Sequence, residues 1–289
     1  MLIRKIKAIV SLFLLASVIP VRATTVLVMV GPHGIITASD SLARIAIPDS
    51  ESTAQKLFII QNRIVVASIG HYDMQGTTTS GPMHYNFLTW MKQLQSRLPP
   101  NISVDDLAER IRIESAAMFG GFDAALGRSN IKRPNPIEAC EDFIQYVIAS
   151  YYAGRPRVFV VHFYINWDEK KLIGPIKVLE PFEGDFGIYP FGVTQAIGFA
   201  DVLDGNSYAH KQAMRRCPTA FEHLLAHEDI SLDETLMFAA TLIKIQEDIN
   251  PSEVGGAVQA VKISPDGRAE KVGILPKCTT GQQDKTKTH

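Results

Sequence analysis

Thr24, Asp40, Lys56 and Gly70 supply a hydroxyl, a carboxylate, an amine and a residue without Cβ, and the last three lie sixteen, thirty-two and forty-six residues beyond the first. An internal threonine hydroxyl is a weak nucleophile, because no base is built in beside it. A threonine at a chain terminus is different. Its own α-amine has a reference pKa of about 7.7–8.0, so a useful fraction is neutral and can take the hydroxyl proton directly or through one water. The residues upstream predict that Thr24 becomes such a terminus. Arg4, Lys5 and Lys7 form a positive start, Ala8 to Ile19 is a twelve-residue apolar run, and Pro20-Val21-Arg22-Ala23 places compact residues at −3 and −1 of a cut after Ala23. This is the pattern of a secretory signal peptide, and the run is short for a membrane span. The expectation is a leader over 1–23 and a mature chain that is exported, periplasmic or extracellular, with no stable membrane anchor after cleavage.

The other three residues fit roles around that terminus. A buried Lys56 near Thr24 lowers the hydroxyl pKa, and Asp40 keeps the lysine charged. Gly70 lets a backbone N–H approach a developing oxyanion. Each residue also has a plainer reading: a β-branched strand opener, a turn aspartate, an edge lysine and a turn glycine. Metal and cofactor chemistry has no signature. There is no CxxC or Cys/His spacing, and His223 and His227, four apart, lack the glutamate of HExxH and read as surface residues. GxSxG is absent too.

The elements that must position these residues follow from periodicity. Thr24 to Val30 and Ile35 to Ser39 flank a Gly-Pro-His-Gly turn, and Leu57 to Ile60 and Ile64 to Ser68 flank Gln61-Asn62-Arg63, so both pairs read as hairpins. Helical spacing covers Met83 to Leu98 and Val104 to Phe119, the second capped by Ser103. Residues 120–137 read as loop. Phe143 to Tyr152, Val158 to Ile165, Lys177 to Glu180 and Val193 to Gly198 read as strands, and 206–227 and 232–249 as helices. Gly255 to Ile263 and Ala269 to Ile274 surround Ser264-Pro265-Asp266-Gly267, another hairpin. Strands in blocks, rather than in strict alternation with helices, predict an α+β fold. One domain over 24–278 is expected, followed by a disordered polar tail over 279–289.

Composition excludes other classes. Of 289 residues, 46% are hydrophobic and 20% charged, so extended disorder is ruled out. Without residues 1–23, 25 basic residues face 30 acidic ones, a mildly acidic body that argues against nucleic acid as partner. Three cysteines, Cys140, Cys217 and Cys278, allow one disulfide and a leftover thiol, and the sequence leaves the pairing open.

TTVLVMVGPHGIITASDS, followed by Lys56 and VVASIGHYDMQG, resembles a proteasome β subunit of the N-terminal nucleophile hydrolase superfamily. Weaker likeness returns at IGFADVLDG (197–205) and VGGAVQAVKISPDG (254–267). The resemblance implies a four-layer αββα sandwich, with two antiparallel sheets between helix layers. It implies hydrolysis of peptide or other amide bonds through an acyl-enzyme on Thr24, without a cofactor. It also implies a supporting Asp and Ser, for which Asp248 and Ser252 are the candidates, and ring contacts through helices 83–118, so that a homo-oligomer is possible. Two departures stand out: Ala23 replaces the expected glycine, which points to signal peptidase rather than self-cleavage, and Val254 directly precedes Gly255-Gly256. The alternative is a non-catalytic binding or assembly module on the same sandwich.

Overall fold

The computed structural model describes residues 24–44, 51–78, 81–122, 140–180, 187–192, 199–226, 230–251, 254–276 and 278. The expected leader, the 120–137 loop beyond Phe122, the strand at 193–198, Ser252 and the tail lie outside these residues. The fold is α+β, with two main antiparallel sheets and several helices.

Strands β1 (Val26–Gly31) and β2 (Gly34–Ser39) form the central hairpin of one five-stranded sheet. They are flanked by β12 (Gly187–Phe191) on one side, and by β13 (Gln259–Ile263) and β14 (Ala269–Lys271) on the other. The second five-stranded sheet runs β11 (Lys171–Leu179), β10 (Arg155–Asn166), β9 (Cys140–Tyr152), β6 (Ile64–Gly70), β5 (Leu57–Ile60). Two small ribbons pair β3 (Leu42–Arg44) with β4 (Glu51–Thr53), and β7 (Asp73–Thr78) with β8 (Gly81–Asn86).

β1 and, apart from Ser68, β6 are continuous apolar runs because both strand faces are buried. Val26, Val28 and Val30 of β1 meet Val65, Ala67 and Ile69 of β6 in one cluster formed by both sheets. Leu27 and Met29, on the opposite face of β1, pack with α3 (Phe199–Leu203), α4 (Tyr208–Arg216), α5 (Pro218–Leu225) and α6 (Leu232–Ile249). Ile64 and Val66, on the opposite face of β6, pack with α1 (Phe87–Ser96) and α2 (Val104–Phe119). The period of two along each strand thus divides its side chains between two cores.

Several boundaries differ from the sequence expectation for local reasons. The helix expected from Met83 starts at Phe87, because Asn86 is extended and its side chain accepts from Thr89 N–H as the N-cap. The helix expected over 206–227 is two helices, broken where Cys217 leaves the helical region (φ −142°) and Pro218 restarts the chain at N1. Helix α6 keeps the expected bounds, fixed by a reciprocal capping box between Ser231 and Glu234. His223 is not a bare surface residue, since its Nδ1 lies 2.8 Å from Glu234 Oε1. Cys217 and Cys278 form a disulfide, and Cys140 is free and exposed. Among the described residues no helix is long and apolar enough to cross a membrane, and no group of His, Cys, Asp and Glu is placed to hold a metal.

Candidate active site

The spacing between Thr24 and Asp40 is a consequence of hairpin register. The pairing of Val26 with Ser39 sets Asp40, the residue after β2, opposite Thr25, the residue before β1. Asp40 N–H donates to the Thr25 carbonyl at 3.4 Å, and Thr25 N–H donates to Asp40 Oδ1 at 2.9 Å. The aspartate is thereby tied to the residue next to Thr24. Thr24 and Thr25 are buried, as are Asp40 and Lys56.

Lys56 arrives from the other sheet. It directly precedes β5, and its carbonyl accepts from Ser68 N–H at 3.0 Å, which extends the β5–β6 ladder by one step. Its ammonium donates to Asp40 Oδ2 at 3.0 Å. The ion pair therefore joins the two sheets at the end of the central hairpin. Gly255 N–H adds a longer contact to Asp40 Oδ2 at 3.4 Å, while the Gly255 carbonyl accepts from Ser41 N–H and Leu42 N–H at 3.2 and 3.0 Å. Asp40 thus draws donors from β1's leading edge, from the segment before β5, and from the chain leading into β13.

Burial dominates the electrostatics of the pair. It pushes Asp40 above the usual carboxylate range, against the opposing charge and hydrogen bond of Lys56. It pulls Lys56 below the usual lysine range, against the opposing charge of Asp40. A desolvated ammonium is a local source of positive charge that bulk water screens poorly, and such a group favours an ionised hydroxyl near it.

The floor of this region is a glycine that the sequence reading passed over. Gly192 follows β12, has φ +106°, and a Cβ on it would lie 2.2 Å from the Thr24 carbonyl oxygen and 2.8 Å from Ile69 Cγ2. Only a residue without a side chain lets these three segments meet. Gly70, next to Ile69, also has a positive φ (+86°), and a Cβ there would lie 2.5 Å from the Phe143 carbonyl oxygen. The structure thus brings Asp40 and Lys56 together at the peptide nitrogen of Thr25, one residue from Thr24, with Gly70 one residue from a side chain that touches Gly192.

Asp248 is not brought there by any contact. It sits near the end of α6, partly exposed, and accepts from Arg216 of α4 and from Tyr208 Oη at 3.4 Å. Ser252 lies outside the described residues. Two other groups that secure the Asp40 region, Ser41 and Gln259, were missed. Ser41 Oγ accepts from Ala257 N–H at 2.8 Å, and Gly256 (φ +77°) leaves room for that hydroxyl. Gln259 contacts the segment that leads to Lys56. A carboxamide at the start of a strand carries no signal in a single sequence. The Gly255-Gly256 pair does, since consecutive glycines mark close approach of backbone.

No family model matches the chain, and no curated protein does. Solved structures similar to it include an Anbu (Gly-1) mutant from Hyphomicrobium sp. strain MC1, at 14% identity over 86% of this chain and 87% of that one, with a TM-score of 0.46. They also include Anbu (ancestral beta-subunit) from Yersinia bercovieri, at 14% identity over 86% of each chain, with a TM-score of 0.40. Likeness at this level carries neither fold nor function across. It does correct the assignment to a proteasome β subunit of the N-terminal nucleophile hydrolase superfamily, because the neighbours found are Anbu proteins. The physical reason the motif misled is visible in the strands. The Thr24 to Asp40 interval follows from a two-residue hairpin turn, and such a turn is not peculiar to one family.

Proposed function

We propose that the chain is an exported N-terminal threonine hydrolase that cleaves peptide or other amide bonds. The observation that carries this reading is the buried Asp40–Lys56 ion pair anchored on the peptide nitrogen of Thr25, one residue from Thr24. A buried ion pair is costly to desolvate and is a weak source of stability, so its presence at a strand end is better explained by chemistry than by folding.

In this reading signal peptidase cuts after Ala23 and frees the Thr24 amine. The amine takes the Thr24 hydroxyl proton, and the oxygen attacks the substrate carbonyl carbon. The negative charge that develops on the carbonyl oxygen is met by the Gly70 N–H. The protonated amine then gives its proton to the leaving nitrogen as the C–N bond breaks, and water hydrolyses the resulting ester on Thr24. Lys56 favours the ionised hydroxyl and Asp40 holds Lys56. A four-layer αββα sandwich supports the site. The Cys217–Cys278 disulfide supports export, since such bonds persist in oxidising compartments.

The test begins with N-terminal sequencing of the mature exported protein, which should read Thr-Thr-Val-Leu. A hydroxyl-directed electrophile should then label Thr24, and labelling should vanish in Thr24→Ala and fall sharply in Lys56→Ala. Equal labelling of all three proteins refutes the assignment. A second reading, a binding module without catalysis, is favoured by the engagement of Asp248 with Arg216 rather than with the Asp40 region. A mature terminus elsewhere than Thr24 would select it.

A further inference from the structure

The Lys56 ammonium is at the end of a long, flexible side chain, so its placement depends on how firmly the backbone beneath it is held. Residues 54–56 lie between the β3–β4 ribbon and β5 and are held on both sides. Ala54 N–H donates to the Ser41 carbonyl at 2.9 Å, and the Lys56 carbonyl accepts from Ser68 N–H at 3.0 Å. The Ala54 carbonyl and the Lys56 N–H both meet one side chain. Gln259 Nε2 donates to the Ala54 carbonyl, and Lys56 N–H donates to Gln259 Oε1 at 3.1 Å.

A carboxamide offers one donor and one acceptor in a plane, as a peptide unit does. At this point Gln259 stands in for a neighbouring strand. Its own backbone pairs with Ser39, the residue before Asp40. The connections therefore close a ring: Gln259 backbone to Ser39, Ser39 to Asp40, Asp40 carboxylate to Lys56 ammonium, Lys56 backbone to Gln259 side chain. We propose that Gln259 is a positioning residue for the hydrolase site, which fixes the Lys56 ammonium against Asp40 by holding the Lys56 backbone in register with the strand that carries Asp40. The proposal rests on the hydrolase reading for its consequence in catalysis, and on the hydrogen bonds alone for its consequence at Lys56.

Two variants of the mature full-length chain test it. Gln259→Leu keeps the volume and removes both hydrogen bonds. Gln259→Glu keeps the acceptor for Lys56 N–H and removes the donor to Ala54. At saturating electrophile, Gln259→Leu should slow Thr24 labelling by about ten- to a hundredfold, the cost of a displacement of about an ångström near a reacting group. Gln259→Glu should fall between it and the parent. The pH profile separates positioning from simple loss of folded protein. Rates are normalised to the folded fraction measured at each pH, so that simple loss of folded protein leaves the shape of the profile unchanged. A loosened, rehydrated Lys56 moves the alkaline limb of the profile upward, because burial is what lowers its pKa in the parent. An unchanged profile, or uniform scaling alone, overturns the proposal.

A second measurement does not involve Thr24. The pH-independent rate constant for acylation of the Lys56 amine by a small amine-directed reagent, taken from a pH series with mass mapping, should be about tenfold higher in Gln259→Leu, as expected from losing two hydrogen bonds. Lys262, partly exposed and paired with Asp233, serves as the unchanged reference. Failure of the parent to label at Thr24 would sink the hydrolase reading, and the acylation comparison would still decide the role of Gln259. Equal Lys56 reactivity in parent and variant overturns it.

Discussion

The Asp40–Lys56 pair sets how this protein should respond to pH. Asp40 has a raised folded-state pKa, so the stability linked to it is fully present below its unfolded pKa and is lost as pH rises through the folded value. Lys56 has a lowered folded-state pKa, so its contribution is present above its unfolded value and is lost as pH falls through the folded one. The charge and hydrogen bond of Lys56 are what oppose the effect of burial on Asp40. Lys56→Met should therefore destabilise the protein by about 3–5 kcal/mol at neutral pH, by leaving Asp40 buried and unpaired. The loss should shrink as pH falls through the raised Asp40 pKa, because the protonated acid needs no counter-ion. Urea midpoints taken from neutral to acid pH check this, and a constant loss across that span counts against it. The place of Asp40 beside Thr25 was legible in the sequence, because hairpin register sets the residue after β2 opposite the residue before β1. Gly192 and Gln259 were not, because a glycine after an aromatic and a glutamine opening a strand look ordinary until a carbonyl from a distant segment lies against them.

At the scale of elements, β1, β2, β5, β6, α2 and α6 could be read because their patterns were strong: buried strands give continuous apolar runs, and Ser103 and Ser231 are explicit caps. β7, β3 and β4 could not, since short ribbons with polar sequences have no periodicity. The extent of β11 was underestimated, since Lys171 to Ile176 includes Gly174 and Pro175, and its side chains are largely exposed at the edge of the sheet. Helix α6 packs on β1, β2 and α4 and α5, and its capping box holds the turn from which it starts. Ser231→Ala should cost about 1 kcal/mol. The denaturant midpoint should fall with no change in slope, and labelling of Thr24 at low denaturant should be retained. An altered slope would mean that the cap organises more than its helix.

At the scale of the whole molecule, the disulfide closes a loop with a sequence separation of 61 between Cys217 and Cys278. A cross-link over a loop of this length contributes about 2–4 kcal/mol, mainly by restricting the unfolded chain. Cys217→Ser/Cys278→Ser, or reduction of the parent, should lower the thermal midpoint accordingly, and an unchanged midpoint would show that the cross-link adds nothing beyond packing.

The closed loop contains α5, α6, β13 and β14, and with them Gly255 and Gln259. These are the segments that supply the backbone donor to Asp40 and the carboxamide that holds the chain at Lys56. On the proposed function, two covalent events separate a newly made chain from a working one: a cleavage that frees the amine, and an oxidation that tightens the far side of the site. On that proposal both would take place on the far side of the membrane. The cytosol in which the chain is synthesised would then be spared its hydrolytic action, with no inhibitor protein required.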